Sequence, residues 1–368
     1  MTVAGGTSTR IRVHADRLEA LTAAIFEDLG MLPEHALITA RGLVAADLRG
    51  HESHGISNYL DVYYEPGLRS GVIKARPEPR IVRETPTTAS WDGDGGMGFV
   101  VADIVMRDCI ERAARMGTAF ASVANSRHYG MAQLYSRMAV EHDMIGLSMT
   151  NGGAIAVPFR GSEPRLGTNP ISVAIPCGQE SPFVLDMATT TASMGKVLNA
   201  ERDDRPIPAG WALDAGGQPT TDPAAAISGG RLLPLGSTAE GSAHKGYGLA
   251  VWVEVMCGVL SGTGFGSMLG PDNLGHAFAA IRVDAFQPLD DFKAMMDDLV
   301  RDLRATPPRA GEEPVLVAGD PEHAAERERR ELGIPLHPRV IAMLERYATD
   351  LARPFDLLAR PANGPARP

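Results

Sequence analysis

Apolar positions in the first part of the chain recur at helical spacing. Leu18, Leu21, Ile25 and Leu29 share one face before Gly30 ends the run, which predicts a helix over 18–29. Further periodic stretches predict helices over 34–48 and 57–68. Beyond Pro79 the texture becomes rich in Thr and Val over 80–91, bounded by a glycine cluster, and predicts strands; 99–116 returns to helix. Short apolar runs at 119–123, 145–149, 171–175 and 183–187 then alternate with turns and helical stretches, an α/β texture. The Gly-, Pro- and Asp-rich stretch 201–238 reads as a loop long enough to be functional. A helix from Lys245 follows, with the apolar run 249–260 read as a buried helix and 277–283 as a strand. The charged region 288–352 reads as helices around one more strand at 315–318, and the Pro- and Ala-rich tail 353–368 is expected to fray. No internal repeat is present.

With 368 residues, 44% hydrophobic and 22% charged, the chain can bury two substantial cores and is an ordinary folded composition. Its net charge of -10 argues against a sequence-independent grip on nucleic acid or an anionic membrane, which would need a basic face, so a small-molecule partner is expected. The most apolar run carries Glu254 and is shorter than the roughly 20 residues a membrane span needs. Three scattered cysteines, Cys109, Cys177 and Cys257, support neither a disulfide framework nor a thiolate zinc site. Together with a small, polar start at 1–9 that lacks the apolar core of a secretory signal, they predict a cytoplasmic protein.

The densest chemistry lies in Arg49-Gly50-His51-Glu52-Ser53-His54-Gly55-Ile56, between two predicted helices. His51 and His54 are three apart, so the zinc-protease pattern is not met, and a functional Ser53/His54 pair is favoured over plain capping. Residues 92–98 contain a literal Gly-x-Gly-x-x-Gly. Asp92 and Asp94 would repel a pyrophosphate, and no ribose-binding acid follows at the expected offset, so a glycine turn is expected instead. Asn125-Ser126-Arg127-His128-Tyr129-Gly130 sits where a predicted strand ends, and His128 could hold a ligand or cap a helix. Thr168 and Asn169, after Gly167, offer either turn chemistry or binding. Asp186 ends an apolar run and is either an orienting partner for an imidazole or a helix cap. His244-Lys245-Gly246 opens a helix, as a phosphate site or as a solvated lysine between packing glycines.

Together these segments resemble the malate/L-lactate dehydrogenase family, which is distinct from the Rossmann lactate dehydrogenases and includes sulfolactate and ureidoglycolate dehydrogenases and cyclic imino acid reductases. The matches are 47–55, 126–130, 163–170, 183–188 and 244–248, in family order, within 15–347. The resemblance implies an NAD- or NADP-dependent oxidoreductase acting on a small 2-oxo or 2-hydroxy acid or a cyclic imino acid. It implies a mixed-sheet α/β cofactor domain of the sulfolactate dehydrogenase-like type over 119–287. A helical substrate and dimerisation domain would be built from both chain ends, 10–118 with 288–352. By the same resemblance His54 is the proton donor, with Ser53 and Asp186 as relay partners and His128 as its rival. His128, Tyr129, Gly130, Thr168, Asn169, Met187, Ala188, His244, Lys245, Gly246 and Gly319 would surround the cofactor. A homodimer paired through the terminal helices is expected.

One departure stands out: many members carry an arginine where this chain has Asn58. Asparagine supplies no charge, so Asn58 and Arg127 are taken together as the substrate-binding candidates, with Arg127 as the carboxylate clamp. Arg202 and Arg205 are possible phosphate contacts, although surface charge explains them as well. No resident metal is expected. Two other classes remain open: a metal-dependent hydrolase using His51, His54, His128 and Asp186, and a catalytically silent relative that binds a dinucleotide.

Overall fold

The structure is a computed structural model that describes residues 10–270 and 273–358. Strand β1 (Ile11–Val13) leads into α1 (Ala15–Asp28), which ends at left-handed Gly30, and α2 (Pro33–Leu48) starts on Pro33, whose missing N–H has no helical partner to lose there. The third predicted helix is longer than expected. It runs through α3 (Ile56–Tyr59), a π-turn at Leu60–Tyr64 and α4 (Glu65–Ser70). Strands β2 (Arg80–Glu84) and β3 (Thr88–Gly96) follow, then α5 (Gly98–Met116), β4 (Thr118–Ser126), α6 (Gln133–Val140), β5 (Met144–Thr150), β6 (Ile171–Ile175) and β7 (Phe183–Met187). The expected glycine turn is a bulge inside β3 with Asp94 and Gly95 left-handed, where Asp94 pairs with Lys74.

The stretch read as a loop over 201–238 is more ordered than expected. After α7 (Met194–Arg202) it folds into a small sheet of β8 (Ala212–Leu213), β9 (Pro219–Thr220) and β10 (Arg231–Leu232) around α8 (Pro223–Gly229). Then come α9 (Ala243–Val253), a π-turn at Glu254–Val259, β11 (Leu274–Arg282), α10 (Leu289–Arg304), α11 (Asp320–Leu332), β12 (Ile334–Leu336) and α12 (Pro338–Asp350). The extra strand of the C-terminal region is thus β12. Residues 315–318 are irregular and offer the sheet a single bond, from Val184 N–H to the Ala318 carbonyl, 3.0 Å.

Seven strands form one mixed sheet in the order β2-β3-β4-β11-β5-β6-β7, in which β3 and β4 are parallel and the other pairs antiparallel. Helices α5 and α6 cover one face; α9 and its π-turn cover the other through Val253 and Cys257. The run 249–260 is therefore not a buried helix. Val253, Cys257 and the partly buried Met256 pack on the sheet, whereas Leu249, Trp252, Val255, Val259 and Leu260 are exposed. A separate core joins both chain ends. Leu18, Phe26, Leu43 and Ile56 pack with Ile334, Leu344 and Tyr347, and β1 pairs with β12. Of the tail, 353–358 packs back, with Leu357 buried and its carbonyl accepting from His14 N–H at 2.8 Å. The rest of the tail and the start at 1–9 lie outside the described residues.

The pairing brings the C-terminal ends of β4, β5 and β7 and the N-terminal ends of β6 and β11 to one edge of the sheet. Residues 126–130, 150–153, 168–170 and 186–188 thereby converge there, facing the loop between α2 and α3.

Candidate active site

The loop carrying His54 is held from behind by a buried carboxylate. Asp47 Oδ2 accepts from the Ile56 N–H at 3.0 Å, and Gly55 lies so close that a Cβ would sit 1.9 Å from Asp47 Oδ1. Only glycine fits that approach. Burial pushes the Asp47 carboxyl up to about 7. Ser53 Oγ and His54 Nδ1 are 2.9 Å apart, as the sequence pairing anticipated. The first turn of α7 seals the other side, where a Cβ on Gly195 would meet the Ser53 carbonyl at 2.4 Å. Burial, reinforced by the charges of His51 and Lys196, lowers His54 to about 4, so its imidazole is neutral at pH 7.

His128 stands beside it. Its ring lies 6.0 Å from that of His54 and 4.3 Å from that of Tyr59, nearly parallel to both. The Tyr64 hydroxyl and His128 Nδ1 share a hydrogen bond of 2.6 Å, and burial holds the Tyr64 phenol far above its ordinary pKa. The wide π-turn that follows Tyr59 brings Tyr59, Tyr63 and Tyr64 all into ring contact with His128, a use of π geometry common at functional sites.

Asp186 is near but not bonded to His54. Its Oδ2 accepts from the Gln133 N–H at 2.9 Å, at the start of α6, where a helix N-terminus favours a carboxylate. Burial raises its pKa, and the His51 charge opposes the rise. His51 Nε2 contacts Gln133 Nε2 at 2.9 Å and Glu322 Oε1 at 3.3 Å, while Arg49 binds Gln133 and Glu326. Asp186 therefore belongs to a network anchored on α6 and α11. The expected direct relay from Asp186 to His54 is not formed. Nor do His51, His54, His128 and Asp186 act as ligands to one ion: each is engaged separately, and among the described residues no three such side chains converge.

Two adjoining cavities, about 350 and 260 Å³, meet at His54 and share Gly130, Thr168, Pro170 and Ser193. The larger adds His51, Ser53, Asp186, Met187, Ala188 and Lys196. The smaller adds Tyr59, Tyr63, His128 and the backbone at 150–153. The remaining candidates are placed elsewhere. Asn58 ties α3 to α7 through the Asn199 side chain and accepts from Arg202. Arg127, expected as the carboxylate clamp, donates to the Val72 and Ser126 carbonyls at 2.8 and 2.9 Å and lines neither cavity. Asn169 binds the Ala250 carbonyl and Glu254, and Tyr129 stacks on buried His276 at 4.6 Å. His244 and Lys245 are exposed on the first turn of α9, where Gly246 packs on the backbone of the cavity residue Leu235. Gly319 is left-handed at the start of α11, against Val184 of β7. Sequence reasoning missed Tyr59, Tyr63, Tyr64, Gln133 and Lys196. The close tyrosines after the histidine loop were the available signal; Lys196, on a helix folded from a distant stretch, left none.

Comparison with known proteins fits this geometry. The malate/L-lactate dehydrogenase profile matches residues 13–345. Malate dehydrogenase of Pyrococcus abyssi is 37% identical over 92% of this chain and 94% of its own length. L-sulfolactate dehydrogenase of Methanocaldococcus jannaschii is 36% identical over 89% and 93%, and the ureidoglycolate dehydrogenase (NAD(+)) of Escherichia coli K12 32% over 89% and 93%. Among solved structures, malate dehydrogenase of Entamoeba histolytica superposes with a TM-score of 0.91 at 32% identity, covering 95% of this chain and 100% of that one. Delta1-piperideine-2-carboxylate reductase of Pseudomonas syringae gives 0.81 at 27% identity, covering 92% and 99%. The chain belongs to the malate/L-lactate dehydrogenase family and is an oxidoreductase. That membership displaces the hydrolase alternative.

Proposed function

We propose that the protein moves a hydride between a nicotinamide cofactor, NAD or NADP, and C2 of a small 2-oxo or 2-hydroxy acid such as malate, lactate, sulfolactate or ureidoglycolate. The observation that carries this reading is a half-buried imidazole, His54, whose lowered pKa keeps it neutral at the junction of two cavities. The residues fit a flat cofactor ring: Gly130, Ala188 and Ala192 leave one wall without bulk, and Thr168 and Ser193 offer hydroxyls beside it. Gly167 abuts Gly152 so tightly that a Cβ would meet its Cα at 2.6 Å, which keeps that corner open to backbone contacts. Gly130, Thr168, Met187 and Ala188 would hold the nicotinamide, which supplies or takes up the hydride when bound. Neutral His54 takes the hydroxyl proton as a 2-hydroxy acid is oxidised and returns it to the C2 oxygen in the reverse direction. A substrate anion beside His54 offsets the charges of His51 and Lys196, favours the protonated imidazole and so raises the pKa of His54 from about 4. Ser53 fixes the ring orientation.

A second reading has its own observation. The wall formed by Tyr59, Tyr63 and His128 suits a flat cyclic imino acid, and the Pseudomonas syringae reductase shares the fold. Loss of NADH or NADPH absorbance with pyruvate, oxaloacetate, sulfopyruvate, oxalurate and cyclic imino acids separates the two. Turnover confined to the imino acids would overturn the first reading.

The exposed apolar face at Leu249, Trp252, Val255, Val259 and Leu260 supports a homodimer paired there rather than through the terminal helices. Light scattering should show a dimer that Trp252→Glu weakens; a monomeric wild type would contradict this. Three unpaired cysteines support a cytoplasmic setting, and no helix among the described residues is long and apolar enough to cross a membrane.

A further inference from the structure

The cations framing His54 differ in what they already hold. Arg127 is engaged with two backbone carbonyls. Arg202 donates to Asn58, Ser57 and Asn199. His51 faces Glu322. Lys196 lines the larger cavity with His54 and, among the described residues, its ammonium has neither an ion pair nor a hydrogen bond. The one carboxylate in that cavity, Asp186, is taken by the Gln133 N–H and the His51 charge.

The local fold fixes where this ammonium starts. Ser193 caps α7 and accepts from the Lys196 N–H, and Gly195 packs directly against Ser53, with no room for a side chain between them. The first turn of α7 is thus docked on the loop that carries His54. Lys196 projects beside the imidazole closely enough that its charge is felt there.

We infer that Lys196 is the substrate-carboxylate anchor of this enzyme, standing in for the guanidinium absent at Asn58. The inference rests on the 2-oxo acid reading above. A proton donor must lie within hydrogen-bond reach of the oxygen on C2, and the carboxylate carbon is bonded to C2. The anchoring cation must therefore sit next to His54, and Lys196 is the cation there without a partner. An ammonium is a point charge on a flexible stem, so it holds the carboxylate without the fixed bidentate geometry of a guanidinium.

The test compares wild type with Lys196→Met and Lys196→Arg in the full chain, using a 2-oxo acid and its neutral amide as paired substrates. A charge-assisted hydrogen bond to a carboxylate corresponds to roughly a 10- to 100-fold change. Lys196→Met should raise KM for the acid by about that factor, with a smaller change in kcat and little change for the amide. Lys196→Arg should recover part of the loss, and the dinucleotide Kd should stay unchanged in both. Oxamate binding to the free protein, by calorimetry, should weaken in parallel without any need for turnover. An unchanged acid KM, or a loss that falls on the dinucleotide Kd instead, would overturn the assignment; the latter would place a cofactor phosphate on Lys196. If wild type turns over no acid yet binds oxamate through Lys196, the reaction reading fails and the anchor stands. Turnover of an acid that is indifferent to Lys196 overturns the anchor and leaves the reaction reading in place.

Discussion

The imidazoles of His54 and His128 lie face to face, 6.0 Å between centroids and 12° between planes, each with its Nδ1 on a hydroxyl, Ser53 for one and Tyr64 for the other. Both rings are half-buried, and at this distance a charge on one disfavours a charge on the other. Burial depresses both, and the His54 charge would depress His128 further. NMR titration of the ring nitrogens should find both neutral at pH 7, with His54 protonating near pH 4 in the free protein. The 2.6 Å bond to the Tyr64 hydroxyl should hold His128 in one tautomer, which Tyr64→Phe should disturb. An imidazolium at either position above about pH 6, near the ordinary histidine value, would contradict this arrangement.

Gly55 is required by space. Its Cβ in Gly55→Ala would collide with the Asp47 carboxylate, so the loop must shift and carry His54 with it. Overpacking of this kind costs about 1–3 kcal/mol. Thermal denaturation should show a lowered Tm and kinetics a lost kcat; a variant with wild-type values in both would exclude the role given to this contact.

Asp47 gives a pH signature whose sign follows from its raised pKa. The folded state binds the proton more tightly than the unfolded state, so this group's stabilising contribution is complete below about pH 4. It is lost as pH rises through about 7. Asp47→Asn keeps an acceptor for the Ile56 N–H but does not titrate. The stability of wild type relative to Asp47→Asn should therefore fall between about pH 4 and pH 8, and a constant difference across that range would show that Asp47 is not perturbed.

Much of the architecture was legible because amphipathic helices and short apolar strands carry their own periodicity: α1, α2, α5 and the strands β4 to β7 fall where the pattern put them. Failures came where local pattern and tertiary role diverge. The run 249–260 looked fully buried because apolar residues occupy both faces, although Val253, Met256 and Cys257 pack on the sheet while Leu249, Trp252, Val255, Val259 and Leu260 are exposed. The apolar stretch 315–318 lacked a neighbour to pair with, whereas short β12 is made by its partner β1. At the site, the Ser53–His54 pair was visible because the two are adjacent. The partner of Asp186 was not, since Gln133 is supplied by a helix distant in sequence, and nothing near Arg127 in the sequence showed that Val72 would occupy it.

The role of His54 is tested most directly by NADH and NADPH oxidation with wild type and His54→Ala on the same panel of 2-oxo and imino acids, with dinucleotide affinity measured alongside. Wild type should turn over an acid, and the variant should lose on the order of 10²- to 10⁴-fold in kcat with nearly unchanged dinucleotide binding. Equal turnover by the two proteins would contradict that role and move proton transfer to His128.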